Sequence, residues 1–212
     1  MDTRASPRKA SGSGLNLARP DSKFRFGDQY REKAVLRDGT RVLVRLVCPS
    51  DAGLLTSGFE RLSSESRYRR FFGYKKTLSA DEVKYFTNVD GINHFAIGAL
   101  VSGPDGKERG VGVGRFVRLS RDPTDADAAV TVIDAMQHKG LGRLLIERLL
   151  AAAGERGFKN LRFSVLASNR PMIAMLRKLK TGSTRSVDPQ MGGGVVQFSL
   201  RVPSPAPASS TR

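Results

Sequence analysis

The 212-residue sequence predicts an α/β protein, a mixed β-sheet flanked by helices. Three observations carry that prediction. The stretch Val130-Thr131-Val132-Ile133-Asp134-Ala135-Met136 is β-branched and apolar and reads as a buried strand. A glycine-containing turn, Gln137 to Gly142, leads into a segment where Leu141, Leu145 and Leu149 recur at helical spacing. Arg143, Glu147 and Arg148 fall on its other side, which is the pattern of an amphipathic helix. Hairpin signals and a β-α-β crossover coexist in the chain, so parallel and antiparallel pairing must share one sheet.

Taken in order, residues 1–33 are rich in Arg, Lys, Ser, Gly and Pro and read as a disordered basic tail, dispensable for chemistry. The folded domain is expected over 34–202. Asp38-Gly39 between two strand-like runs signals a hairpin from Val35 to Leu46. Pro49-Ser50-Asp51 opens a helix, with Ser50 the expected cap and Leu54, Leu55, Phe59 and Leu62 its apolar face. Arg67, Tyr68, Arg69 and Arg70 follow, a mixture able to contact phosphate or a base face. A second helix starts near Ser79, with Glu82 completing a capping box.

Phe95–Val101 reads as a strand, Pro104-Asp105-Gly106 as a turn and Gly110–Val117 as the returning strand. The alternating glycines 110, 112 and 114 bare the backbone on one face, so that something can lie close. The helix behind the turn is expected to run to about Arg156. Then come a strand over Leu161–Leu166, a helix from Asn169 to about Lys180 and a last strand over Val195–Leu200. Residues 203–212 are a Pro/Ser/Ala-rich tail.

The formal net charge is +16, which favours anionic partners. Cys48 is the sole cysteine, so no internal disulfide can form, as suits a reducing cytoplasm. It reads as buried filler. No apolar run reaches the length of a membrane span, and the N-terminus lacks an apolar leader.

The strand–turn–helix is where chemistry is expected. The first N–H groups of a helix lack intrahelical partners, and the helix dipole adds partial positive charge there. Glycine lets a phosphate come close to the backbone, and Lys139 and Arg143 add full charges. A diphosphate is the natural ligand. Two familiar phosphate loops are excluded, because neither G-x-x-x-x-G-K-[ST] nor a strand followed by G-x-G-x-x-G occurs.

Gln137-His138-Lys139-Gly140-Leu141-Gly142 has instead the form Gln-x-x-Gly-x-Gly. It resembles the pyrophosphate loop of the GNAT N-acetyltransferases, and the order of elements from roughly 34 to 200 is similar to theirs. Three segments look like bacterial protein-lysine acetyltransferases of the Pat type: Leu36–Thr40, Ser66–Phe72 and Gly114–Arg118. The resemblance implies the GNAT fold, with acetyl-coenzyme A as co-substrate and no metal. It implies that Val132, Ile133, Gln137, His138, Lys139, Gly140, Leu141, Gly142, Arg143 and Asn169 hold the coenzyme, although Asn169 is equally well explained as a helix cap. Residues 66–72 then belong to an acceptor-side helix, which weakens the nucleic-acid reading.

In Pat-like enzymes a glutamate just before the central strand is the base. Asp127 stands there, in Ala126-Asp127-Ala128-Ala129-Val130, one methylene shorter, with a water able to bridge the gap. Leu176 stands where related helices carry a tyrosine that protonates the leaving thiolate, and Lys178-Leu179-Lys180-Thr181 replaces the usual Lys-Leu-Gly-Phe. Tyr85 and His94 read as structural or surface residues. The implied acceptor is a lysine of a protein, such as an acyl-coenzyme A synthetase. A small amine acceptor, a non-catalytic coenzyme A sensor and a nucleic-acid module remain as alternatives. Oligomeric state is not legible.

Overall fold

The structure is a computed structural model and describes residues 24–179, 183–187 and 194–203. Its strands are β1 (Arg31–Val35), β2 (Arg41–Leu46), β3 (His94–Ser102), β4 (Glu108–Arg118), β5 (Asp125–Val132), β6 (Asn160–Leu166), β7 (Ser183–Val187) and β8 (Val195–Arg201). The helices are α1 (Ala52–Glu60), α2 (Ser64–Phe71), α3 (Ala80–Thr87), α4 (Leu141–Glu155) and α5 (Arg170–Lys178). One sheet contains all eight strands in the order β1-β2-β3-β4-β5-β6-β8-β7. Every pairing is antiparallel except β5 with β6.

That one parallel pairing is short. Asp125, Ala126 and Asp127 face Asn160, Leu161 and Arg162, and beyond these the two strands no longer pair. β5 runs on to Val132 and β6 to Leu166, so the sheet opens between them. Asp125 sits at the closed end, 3% exposed. Its carboxylate accepts from Asn160 Nδ2 at 2.8 Å and from Arg162 Nε at 2.8 Å, with Arg162 Nη2 at 2.6 Å. A buried carboxylate without such partners would be costly. The pair therefore pins the fork where the opening begins.

α4 covers one face of the sheet. Leu145, Ile146, Leu149, Ala152 and Ala153 are fully buried, each large side chain contributing about 1.5–3 kcal/mol by burial. The glycines of β4 explain how closely α4 docks. A Cβ at Gly112 would stand 3.2 Å from Leu141 and Leu145 carbons, and one at Gly114 3.1 Å from Leu149 Cδ1. The register of β4 against β3 shifts between Ala99 and Leu100, making Val111 an extra residue. Gly110 accordingly meets Leu54 of α1, on the other face, rather than α4.

Several expectations need correction. Chain order begins earlier than residue 34. Phe26 and Tyr30 are core residues, at 1% and 7% exposure, and β1 starts at Arg31. Arg156 clamps this segment, donating to the Phe26 carbonyl at 2.8 Å and to the Gly91 carbonyl at 2.6 Å. Residues 1–23, and all of the 203–212 tail except Pro203, lie outside the described residues. Ser50 is not a cap: a 3-10 turn, Pro49–Asp51, precedes α1, and the Asp51 carboxylate accepts from Cys48 N at 2.9 Å. Arg45 holds that carboxylate at 2.6 and 2.8 Å, which fixes it to β2. The central strand starts at Asp125 and ends at Val132, and Asp134–Met136 is a 3-10 turn. β7 had no counterpart among the expected strands. The Asp38-Gly39 hairpin and the Ser79/Glu82 capping box form as expected.

Candidate active site

The opening between β5 and β6 is a cleft of about 840 Å³. Its floor is Asp127 to Val132 on one side and Arg162 to Val165 on the other. The N-terminus of α4 and the Gln137–Arg143 turn close one end. Pro171, Met172, Ala174, Met175 and Lys178 of α5 form a wall, and Arg69, Arg70, Phe72 and Tyr85 of the α2–α3 region line the far lobe.

The turn has the backbone its glycine foretold. Gly140 is the N-cap of α4 at φ +94°, and the first helical bond is Leu144 N to Gly140 O at 3.1 Å. The amides of Leu141, Gly142 and Arg143 therefore have no acceptor along the helix and are available to an anion. His138 also has a left-handed backbone, φ 61°. A Cβ on Gly142 would make only ordinary contacts, 3.5 Å to Met175 Cε, so this glycine is where α5 and α4 approach beside the open cleft.

The side chains of the expected coenzyme set divide. Val132, Gln137, His138, Gly140, Gly142, Arg143 and Asn169 line the cleft. Leu141 is 1% exposed and packs in the core, leaving only its amide for a ligand. Ile133 is buried against the α1 side, and its amide donates to Val111 O at 3.1 Å. Lys139 is held by Asp38 at 2.9 Å, and Arg143 by Glu147 at 2.7 Å. Both cations thus carry a carboxylate partner. Gln137 turns inward: Nε2 donates to Val132 O at 3.1 Å and to Ser66 Oγ at 3.2 Å. Ser66 Oγ in turn donates to Asp134 at 2.9 Å, as does Ser63 at 2.8 Å, so the turn is tied to the start of α2. Asn169 caps α5, accepting from Met172 N at 3.3 Å.

Sequence reasoning missed Arg37. The hairpin tip lies over the turn, with Arg37 N donating to Lys139 O at 3.1 Å and the Arg37 side chain beside Gly140. Its guanidinium lines the cleft mouth and has no hydrogen-bond or ion-pair partner among the described residues. The hairpin signal placed the tip but not its neighbour, since the contact spans about a hundred residues.

Asp127 projects from β5 into the cleft, beside Val117 of β4 and Arg162 of β6. It is the sole carboxylate lining the cleft among the described residues. Although the side chain is exposed to the cleft, the strands around it partly desolvate its carboxyl and push it above the ordinary range, against a weaker pull from Arg162. That pull is weak because Arg162 is already engaged by Asp125. Leu176 is fully buried, so α5 offers the cleft its methionines and no tyrosine. Tyr85 is 51% exposed on the lobe, and His94 stacks beside it at 4.8 Å. Burial and the neighbouring Arg115 lower the His94 imidazole to about 4, so it is neutral and accepts from Arg115 Nη1 at 3.1 Å.

An open parallel fork, with a helix N-terminus and a glycine turn at its mouth, can take an extended anionic ligand along a strand edge, and the fold is that of acyl-group-transferring enzymes. Residues 60–180 match the model of the acetyltransferase (GNAT) family, and the chain belongs to that family. It is 31% identical over 144 residues to acetyltransferase Pat of Mycolicibacterium smegmatis, covering 68% of this chain and 42% of that protein. It is 32% identical over 146 residues to acetyltransferase PA5475 of Pseudomonas aeruginosa, covering 69% and 76%. The chain thus spans less than half the length of the first relative. Among solved structures, the GNAT domain of S. lividans PAT superposes with TM-score 0.72 at 30% identity, covering 81% of this chain and 96% of that one. A cAMP-binding acyltransferase from Mycobacterium smegmatis gives TM-score 0.55 at 26% identity, covering 82% and 48%.

Proposed function

We propose that the protein transfers the acetyl group of acetyl-coenzyme A to lysine amines of proteins. The observation that carries this reading is the fork itself. Because β5 and β6 part after Asp127 and Arg162, one edge of β5 from Ala128 to Val132 is left without a β6 partner. A pantetheine chain can pair with such an edge as a strand would, while the diphosphate rests on the amides of Leu141, Gly142 and Arg143. The thioester then falls near Ala128–Val130, where an edge amide can stabilise the oxyanion.

A lysine amine, with ordinary pKa about 10.4, must lose a proton before it attacks. Asp127, directly or through a water, takes it. The free amine adds to the thioester carbonyl, and the tetrahedral oxyanion collapses to the amide as the C–S bond breaks and coenzyme A leaves as thiolate. Its protonation falls to solvent, since α5 brings no acid to the cleft. Acetyl transfer goes with the name of the acetyltransferase relatives, the protein acceptor with the resemblance of residues 36–40, 66–72 and 114–118 to Pat-type enzymes, and a single free Cys48 with a reducing cytoplasm.

Incubation of the protein with a lysate and isotope-labelled acetyl-coenzyme A, read by mass spectrometry, tests the proposal. Labelled acetyl-lysine on a defined set of proteins is expected. Label confined to small amines would replace the protein acceptor with a metabolite. Tight coenzyme binding with no labelled product would leave a sensor, the reading that the missing α5 acid favours.

A further inference from the structure

The far lobe of the cleft holds two arginines, Arg70 and Arg115, that have no carboxylate partner among the described residues. Arg115 is 6% exposed, yet its guanidinium donates only to neutral groups: His94 Nε2 and, at 3.1 Å, the Phe86 carbonyl. Its plane stacks on Phe86 at 4.4 Å. Arg70, on α2, makes no hydrogen bond or ion pair among the described residues and rests on Phe71 at 5.1 Å. Both arginines line the cleft and also the small apolar hollow under α1, so they form the partition between the two. Burial lowers both guanidiniums from their ordinary range, Arg70 adds to the depression of Arg115, and Tyr85 pulls weakly the other way on both. Arg69 beside them is already paired with Glu65, with only its Nε left without a partner. A charged group taken out of water with no counter-ion is costly. The arrangement makes physical sense if an anion completes it during the reaction.

Position says which partner brings that anion. Arg115 pairs with Ala129 and Val117 with Asp127, so Arg115 and Asp127 lie on the same face as diagonal neighbours. Their Cα atoms are then about 7–8 Å apart. The turn that would hold the coenzyme lies at the opposite end of β5. An amine at Asp127 and a carboxylate at the arginines are thus separated by about one to two residues of extended chain, given the reach of the side chains.

We infer that the acceptor lobe reads a carboxylate beside the acceptor lysine, an Asp or Glu side chain within a residue or two of it, with Arg70 as the contact and Arg115 as the inner wall. This rests on the acetyl-transfer reading and deepens it. Selection then comes from leaving one buried and one half-buried cation unpaired when a neutral sequence binds.

The test uses blocked peptides with one lysine. One has Glu next to the lysine, one has Gln there, and one has the same net charge with Glu moved to the far end. With acetyl-coenzyme A, the adjacent-Glu peptide should exceed both others by about tenfold in kcat/KM, one charge-assisted hydrogen bond's worth. Arg70→Gln should bring the three peptides level, while acetyl-coenzyme A affinity by calorimetry stays as in the wild type. Arg70→Lys should restore part of the preference. Equal rates for adjacent and distant Glu would mean that the overall basic charge steers, and would overturn the inference. So would a preference that survives Arg70→Gln. Succinyl-coenzyme A outpacing acetyl-coenzyme A on the Gln peptide, in an Arg70-dependent way, would move the carboxylate to the acyl chain and also overturn it. Calorimetric titration of the peptides into the coenzyme A complex reads charge recognition without turnover. Discrimination there with no acetyl transfer would sink the enzyme reading and spare the lobe; transfer without discrimination would do the reverse.

Discussion

Lys139 Nζ lies 2.9 Å from the Asp38 carboxylate, so the β1–β2 hairpin tip holds one of the two cations of the turn proposed to bind the diphosphate. The ion pair lowers the Asp38 carboxyl to about 2, and it therefore persists across any practical assay pH. An incoming diphosphate must share Lys139 with it. Asp38→Asn should free the lysine and tighten acetyl-coenzyme A about two- to five-fold, the range of one exposed ion pair. The gain should shrink in high salt, because exposed charges are screened. Calorimetry at low and high salt checks both; weaker binding in Asp38→Asn would mean that the hairpin tip itself is needed to shape the turn.

Gly140 and Gly142 should behave differently although they stand two residues apart. Gly140 is at φ +94°, where a side chain costs about 1–2 kcal/mol. Gly140→Ala should lower Tm by several degrees. Gly142 has room for a Cβ, so Gly142→Ala should fold normally. Gly142→Asp places a carboxylate in the first turn of α4, which favours the helix but repels a diphosphate. Intact Tm with acetyl-coenzyme A affinity reduced at least tenfold is the expected pair of results from thermal melts and calorimetry. Unchanged affinity in a folded Gly142→Asp protein would remove the diphosphate from this turn.

The start of the domain can be tested by truncation. Beginning the chain at Gln29 discards Phe26, a fully buried ring whose loss alone costs about 3–5 kcal/mol. It also leaves Arg156, now donating to the Phe26 carbonyl, without one of its acceptors. A chain beginning at Phe24 should keep its Tm, and one beginning at Gln29 should lose roughly 10 °C, at about 2–4 °C per kcal/mol for a domain of this size. Matching melts for the two would show that Phe26 is peripheral.

What the sequence made legible, and what it hid, follows the range of the interactions. The α4 stripe and its turn are local, a repeat of leucines and a glycine at the cap, and both were readable. Asp125-Ala126-Asp127-Ala128-Ala129 has little β-propensity, so the strand start was invisible. It is a strand because Asp125 finds Asn160 and Arg162, 35 and 37 residues on. β1, Arg-Glu-Lys-Ala-Val, is likewise a strand by pairing with β2, and its Glu32 is held by Arg148 from α4 at 2.6 Å. Lys139 and Arg143 were readable as cations, but not as cations already paired. Arg70 was readable as basic. That it shares a lobe with Arg115 depends on α2 and β4 meeting, which no spacing reveals.

Asp127 is the base of the proposed reaction. Its carboxyl is raised by the protein around it, so in the folded state the neutral form is favoured relative to the unfolded chain. The sign follows: ionising Asp127 costs stability, and that cost appears as pH rises from the unfolded value of 3.8 through the folded one. At neutral pH the cost is fully present. Asp127→Asn keeps the shape and removes the charge, so its Tm at pH 7 should equal or exceed that of the wild type. Activity should move the other way. General-base contributions are about 100- to 10,000-fold, and kcat should fall accordingly, recovering in part as alkaline pH supplies free amine. Acetyl-coenzyme A affinity should hold, because the diphosphate turn is at the other end of β5. Asp127→Glu restores the reach of the related enzymes and should retain activity. Melting curves and pH–rate profiles of the three proteins decide the matter. A stable Asn variant with an unchanged profile would move the base elsewhere in the cleft. A variant that loses activity only because it melts would make Asp127 a structural residue.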